Sequence, residues 1–247
     1  MSSRPDHQLM SESVFSPDVR PAAPPRTSAW LGFIAFAAMI AAQAFSILTS
    51  PAEGDMGHLQ KIMYVHVPAA WMAFISFFVV LIFSMRYLWQ KRENDDLLAA
   101  SAAEVGAVFT GLTLMLGMIW GRPAWGVWWV WDARLTSTLV LFLIFVGYLA
   151  LRAFVDDSRQ RASWSAAVGA IGAINVPIVY MSVKWWRTLH QPPSSPATLD
   201  PAYTMGLRIN AIALLLVTIY FIRKRYEIAR LERAVEQMAE SAAMGGK

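Results

Sequence analysis

Metal chemistry in this 247-residue chain has few possible donors: it holds no cysteine and only four histidines, His7, His58, His66 and His190. Disulfides, thiolate metal sites, iron–sulfur ligation and cysteine nucleophiles are therefore excluded. A second group stands beside the histidines. In Trp120-Gly-Arg-Pro-Ala-Trp125-Gly-Val-Trp128-Trp129-Val-Trp131-Asp132-Ala-Arg134, five of the protein's eleven tryptophans fall within twelve residues. Tryptophan suits a membrane interface, but anchoring a helix end takes only one or two. A cluster this dense makes a flat aromatic wall. A large apolar ring with a central metal needs such a wall and one or two axial imidazoles, and haem meets that description.

The elements that must carry these residues are membrane helices. The chain is 56% hydrophobic and 15% charged, too apolar for a water-facing surface. Residues 1–27 hold five prolines and mixed charges and read as a disordered cytoplasmic tail. Ala29 to Leu48 follows, 20 residues without a charge and long enough to span. It is too long for a signal-peptide core and follows no short basic segment, so it reads as a retained helix. Further apolar segments lie at about 64–85, 97–119, 135–151, 164–183 and 204–222, giving an all-α integral membrane protein of six spans. Asn175-Val-Pro177 predicts a kink in the fifth. Glu104 and Arg208 fall near span ends, where they can pair or snorkel.

Lys and Arg set the orientation. Fifteen of the 21 lie in the N-terminal tail, the second and fourth connections and the C-terminal end, which places both termini in the cytoplasm. This distribution in short connections, with no basic face on a soluble fold, argues against nucleic acid. Residues 28–223 form the membrane domain. Residues 224–247 form a cytoplasmic amphipathic helix and tail, with Ile228, Leu231, Val235 and Met238 at helical spacing for membrane lipid or a partner.

This topology puts His66, at the start of the second span, and His190, just past the fifth, on the outer face. The external segment 120–136, between helices 3 and 4, lies there too. Pro123 suits the first turn of a short helix, from which Trp125, Trp128, Trp129 and Asp132 share one face as the ring-facing set. Trp131 points elsewhere, as an anchor. Asp132 has the alternative role of N-cap to the fourth span. Arg122, Arg134, Lys184 and Arg187 can meet the carboxylates of a haem edge or snorkel at the interface. Each histidine alone also fits a hydrogen-bonded interfacial residue.

The stretch 120–136 resembles the tryptophan-rich "WWD" signature of the haem-handling proteins of cytochrome c biogenesis. Met63-Tyr-Val-His66-Val-Pro-Ala-Ala-Trp71 and Asn175 to Gln191, which includes Trp185-Trp-Arg187-Thr-Leu-His190, resemble the flanking segments of one branch, the cytochrome c maturation protein C (CcmC) family. The resemblance runs from about residue 29 to 222. It implies a six-span bacterial inner-membrane protein that is not an enzyme and that binds haem b. It further implies axial ligation by His66 and His190, with Trp120, Arg122, Trp125, Trp128, Trp129, Asp132, Arg134, Trp185 and Arg187 around the ring. Such proteins present haem at the periplasmic face to a periplasmic haem chaperone (CcmE-like). They work in an ABC-type CcmABCD-like complex with an ATP-binding subunit, a second multi-span subunit and a small single-span subunit. The chain lacks a phosphate-binding Gly-rich loop, which agrees with a separate ATPase. Two axial histidines leave no open iron site for oxygen chemistry. The competing reading is a membrane cytochrome b or quinone-linked electron-transfer subunit, which would want its His pairs deep within spans. A transporter with tryptophans gating a pore would want broken helices at the midplane, and only Asn175-Pro177 offers that.

Overall fold

A computed structural model describes residues 26–192 and 199–245; the calls on His7 and on most of the N-terminal tail lie outside the described residues. Seven α-helices carry the fold. They are α1 (Arg26–Thr49), α2 (Met63–Gln90), α3 (Glu93–Trp125), α4 (Ala133–Phe154), α5 (Ser158–Gly172), α6 (Asn175–Trp185) and α7 (Pro201–Gly245), with a short 3₁₀ helix at His58–Ile62 before α2. Six stretches are long and apolar enough to cross a membrane, with α5 and α6 together forming the fifth. The protein is a multi-pass membrane protein. Phe33, Ile40, Phe78, Leu143 and Ile212 are all more than half exposed on these helices, an apolar belt that only lipid can cover.

The α2–α3 hairpin is the centre of the bundle, with α5 and α7 packed on α2, α4 on α3, and α1 on α7. Phe77, Val80, Leu141, Phe145, Tyr148 and Val179 fill the core between α2, α4 and α6. Helix ends follow local chemistry. Lys91 closes α2 in a left-handed conformation, its N–H donating to Tyr87 O at 2.8 Å. Glu93, Asp95 and Asp96 then crowd the first turn of α3, where carboxylates oppose the helix dipole. Arg152 of α4 grips Asp96 with two bonds, at 2.6 and 2.9 Å. Toward the end of α1, Gln43 donates to Asn210 at 2.6 Å and Asn210 to Ser46 at 2.7 Å, joining α1 to α7. The Tyr64 and Ser50 hydroxyls bond to each other and hold the start of α2, two residues before His66.

One expectation is met and one changes here. The fifth span is interrupted at Ala173–Ile174, one turn before Pro177, where the proline ring crowds the carbonyl of its i−4 residue and no N–H is left to donate to it. Ala173 O accepts the Val176 N–H at 3.2 Å instead, and Pro177 itself lies in the first turn of α6. Asn175 fastens that turn to α4, donating to Ser137 O at 2.9 Å. The C-terminal amphipathic segment is not a separate helix, because α7 runs 45 residues without interruption. That is roughly 67 Å at 1.5 Å per residue, against about 30 Å of hydrocarbon. Ion pairs from Arg225 to Glu104 and from Arg233 to Glu93 hold this extension against α3, so it continues the span instead of turning along the bilayer.

Candidate haem site

His66 and His190 meet although 124 positions separate them in sequence. Their ring centroids are 6.5 Å apart, with an interplanar angle of 33°. Two metal–imidazole bonds of about 2 Å, plus the distance from each nitrogen to its ring centre, require a separation of about 6 Å. The pair therefore stands at the spacing of two axial ligands. His66 lies in the first turn of α2, with its Nδ1–Cε1 edge against α3 at Gly117. A Cβ there would come within 3.2 Å of Cε1, so glycine makes the room. His66 Nδ1 is buried without a hydrogen-bond partner. His190 follows α6 in an irregular segment, and its Nδ1 lies 2.8 Å from Gln191 O. A carbonyl only accepts, so Nδ1 carries the proton and Nε2 keeps its lone pair for a metal. Burial holds His190 below the usual imidazole range. Arg134 adds to that shift, while the Gln191 hydrogen bond and Asp132 oppose it. The net effect favours the neutral, ligating form.

Both histidines line an open cavity between α2, α3, α4, α6 and segment 190–192. Its surface is mostly apolar. Trp120, Trp125 and Trp129 form the outer wall. Trp120 and Trp125 pack edge to face at 5.5 Å, and Trp125 meets His190 at 6.3 Å. Gln60 of the 3₁₀ helix accepts the Trp120 indole N–H at 3.2 Å. Arg134, one residue into α4, also faces the cavity, and its Nε is buried without a partner. Unpaired donors of this kind are rare in protein interiors and fit an anionic group entering the cavity. Among the described residues no group of three or more His, Asp or Glu side chains could hold a bare metal ion. Two imidazoles alone suit a metal whose other donors come with a macrocycle. The donor set, the unpaired guanidinium and the aromatic wall fit haem.

Comparison with known proteins agrees. The family model described as "Heme exporter protein C" matches residues 12–240. A heme exporter protein C of Bradyrhizobium diazoefficiens is 40% identical over 225 residues, covering 89% of this chain and 85% of that protein. The heme exporter protein C of Escherichia coli K12 is 36% identical over 208 residues, covering 83% and 84%. This chain belongs to the heme exporter protein C family.

The WWD stretch of this family member is not a short interfacial helix. α3 continues through Pro123 to Trp125, and Gly126, at φ 78°, ends it in the left-handed region that glycine tolerates. Gly126 N–H donates to Arg122 O at 3.0 Å, and the Arg122 guanidinium donates to Gly126 O. The proline thus sits in a last turn, with Arg122 as its cap and not at the ring. Residues 127–132 follow without helical periodicity. Trp125 and Trp129 still line the cavity, but Trp128 is 58% exposed and stands outside it. Trp131 is 76% exposed and packs edge to face on Trp129, as expected of an anchor. Trp185 and Arg187 are exposed and do not line the cavity; Trp185 packs on Trp186. Asp132 caps α4, its Oδ1 accepting from Leu135 N–H at 2.8 Å. The cavity also takes in Met63, Trp71, Met118, Tyr180 and Gln191, which sequence reasoning did not single out. Met63, Trp71, Tyr180 and Gln191 lay inside the quoted motifs, whereas Met118 carried no signal beyond hydrophobicity.

Proposed function

We propose that this protein holds haem b at the periplasmic face of the bacterial inner membrane and delivers it for c-type cytochrome biogenesis. The observation that carries the reading is the His66–His190 pair, 6.5 Å apart across an aromatic cavity. His66 and His190 supply the axial nitrogens, Trp120, Trp125 and Trp129 wall the ring, and Arg134 meets a ring carboxylate. The relatives' name, heme exporter protein C, supports haem as the cargo. Haem so held is low-spin and six-coordinate, suited to safe keeping and not to oxygen chemistry. His66 lies in the first turn of α2 and His190 just past the end of α6, which suits handing over to a soluble partner better than electron transfer deep within the bilayer. The receiver in this reading is a periplasmic haem chaperone (CcmE-like). An ATP-binding subunit, a second multi-span subunit and a small single-span subunit complete a CcmABCD-like complex, and the excess of Lys and Arg at the termini sets the inner side.

The test is transfer. Membranes containing the native protein or a His66→Ala, His190→Ala double variant are supplied with haem and the chaperone, and chaperone-bound haem is measured. Loading by native membranes and at least tenfold less by the variant is expected. Equal loading would contradict the reading.

A further inference from the structure

Thr188 occupies a place that the haem-holding reading leaves unexplained. Between the end of α6 at Trp185 and His190 the chain has no regular structure. Two hydrogen bonds meet at the Thr188 hydroxyl. It donates to Asp132 Oδ2, and it accepts the backbone N–H of His190 at 3.1 Å. A hydroxyl has one proton and two lone pairs, so both bonds can form together. Asp132 is fixed in turn, because its Oδ1 caps α4 through Leu135 N–H at 2.8 Å. Beyond the Trp186 N–H bond to Ser182 O that closes α6, the Thr188–Asp132 bond ties segment 186–192 to the head of α4.

We infer that Thr188 is a positioning residue for the distal iron ligand. Through its hydroxyl, the Asp132 carboxylate at the head of α4 holds the His190 backbone facing His66 before any haem arrives. The WWD aspartate then serves the site without touching the ring. One carboxylate caps the helix that carries Arg134 and moors the loop that carries His190, so the cavity's cation and its second imidazole keep a fixed relation. The bond to Asp132 has an ionised acceptor and is of the stronger kind. The inference rests on the reading that His190 is an axial ligand.

Its test uses the full-length protein in detergent and four variants: Thr188→Val, which keeps shape and loses the hydroxyl; Thr188→Ser, which keeps the hydroxyl; Asp132→Asn, which keeps the cap; and His190→Ala. Amide exchange in the segment around His190 is measured without haem, and the low-spin fraction of the absorption spectrum with haem. Thr188→Val and Asp132→Asn are expected to speed exchange about tenfold, the equivalent of one charge-assisted hydrogen bond. Both should lose most of the low-spin signal and regain it with added imidazole, as His190→Ala does, while Thr188→Ser matches the native protein in both measurements. Native exchange in Thr188→Val and Asp132→Asn would overturn the proposal. Faster exchange with an unchanged spectrum would also overturn it. If His190→Ala itself keeps the native spectrum, the axial reading has failed, and the exchange data still report whether the hydroxyl moors the loop.

Discussion

Replacing Gly117 by alanine is expected to weaken haem binding without weakening the empty protein. The added methyl would stand 3.2 Å from His66 Cε1, on a helix that cannot retreat because α2 and α3 form the centre of the bundle. Ordinary carbon contacts lie at roughly 3.5–4.0 Å, so the imidazole must yield by about half an ångström. That is about the tolerance within which a preorganised site keeps its geometry. Half an ångström at Cε1 is a rotation of roughly 10°, short of the ~30° that costs about 1 kcal/mol, so the expected loss is a few-fold and at most about fivefold in affinity. The same substitution in a helix interior gains up to about 1 kcal/mol of helix propensity, so the haem-free protein should melt no lower than native. Haem titration followed by absorption gives the first quantity, and a thermal melt of haem-free protein in detergent gives the second. Gly117→Val should extend the trend in affinity. Native affinity in both variants would refute the packing argument. So would an affinity loss matched by an equal loss of stability, because the effect would then be general unfolding.

Three further outcomes follow from the geometry. Trp125→Ala and Trp129→Ala should each reduce haem retention severalfold, while Trp128→Ala and Trp131→Ala, at exposed positions, should leave it within about twofold; retained haem per protein after detergent washing distinguishes them. Arg134→Met should weaken binding of haem about tenfold yet leave its dimethyl ester unaffected, as titration of both ligands would show; equal losses would mean that Arg134 does not meet a carboxylate. Asp96→Asn removes one partner of the buried pair with Arg152 and should cost about 3 kcal/mol of stability in a detergent melt with no change in the haem spectrum.

The spans were legible because the bilayer imposes length and apolarity on each helix separately, and such constraints can be read locally. Helix ends were harder. The i, i+3, i+4 spacing of Trp125, Trp128 and Trp129 counts along a helix that ends at Gly126, where a left-handed backbone and the Arg122 cap take the chain out of register. Pro123 looked like a beginning and lies near an end, where Gly126 and the Arg122 side chain close the helix two to three residues later. Pro177 was legible as a break, which lies one turn before it at Ala173–Ile174, where its ring and missing N–H act. For Asp132 the cap reading holds, since Oδ1 closes α4, whereas the carboxylate does not line the cavity and its Oδ2 receives Thr188. The approach of His66 to His190 depends on how α2, α3 and α6 pack, and nothing in the spacing of two histidines 124 positions apart contains it. Orientation placed both on the outer face, and the resemblance paired them. Thr188 lay inside a quoted motif but without a role of its own, since a single hydroxyl in a loop carries chemistry only through what it reaches.

The axial pair is the centre of this account, and the spectrum of the haem-loaded protein tests it most directly. Native protein should show a low-spin, six-coordinate spectrum; His66→Ala and His190→Ala should each turn it largely high-spin, and added imidazole should restore it. A native protein that takes up no haem under any condition would contradict the account, as would both variants keeping an unchanged low-spin spectrum.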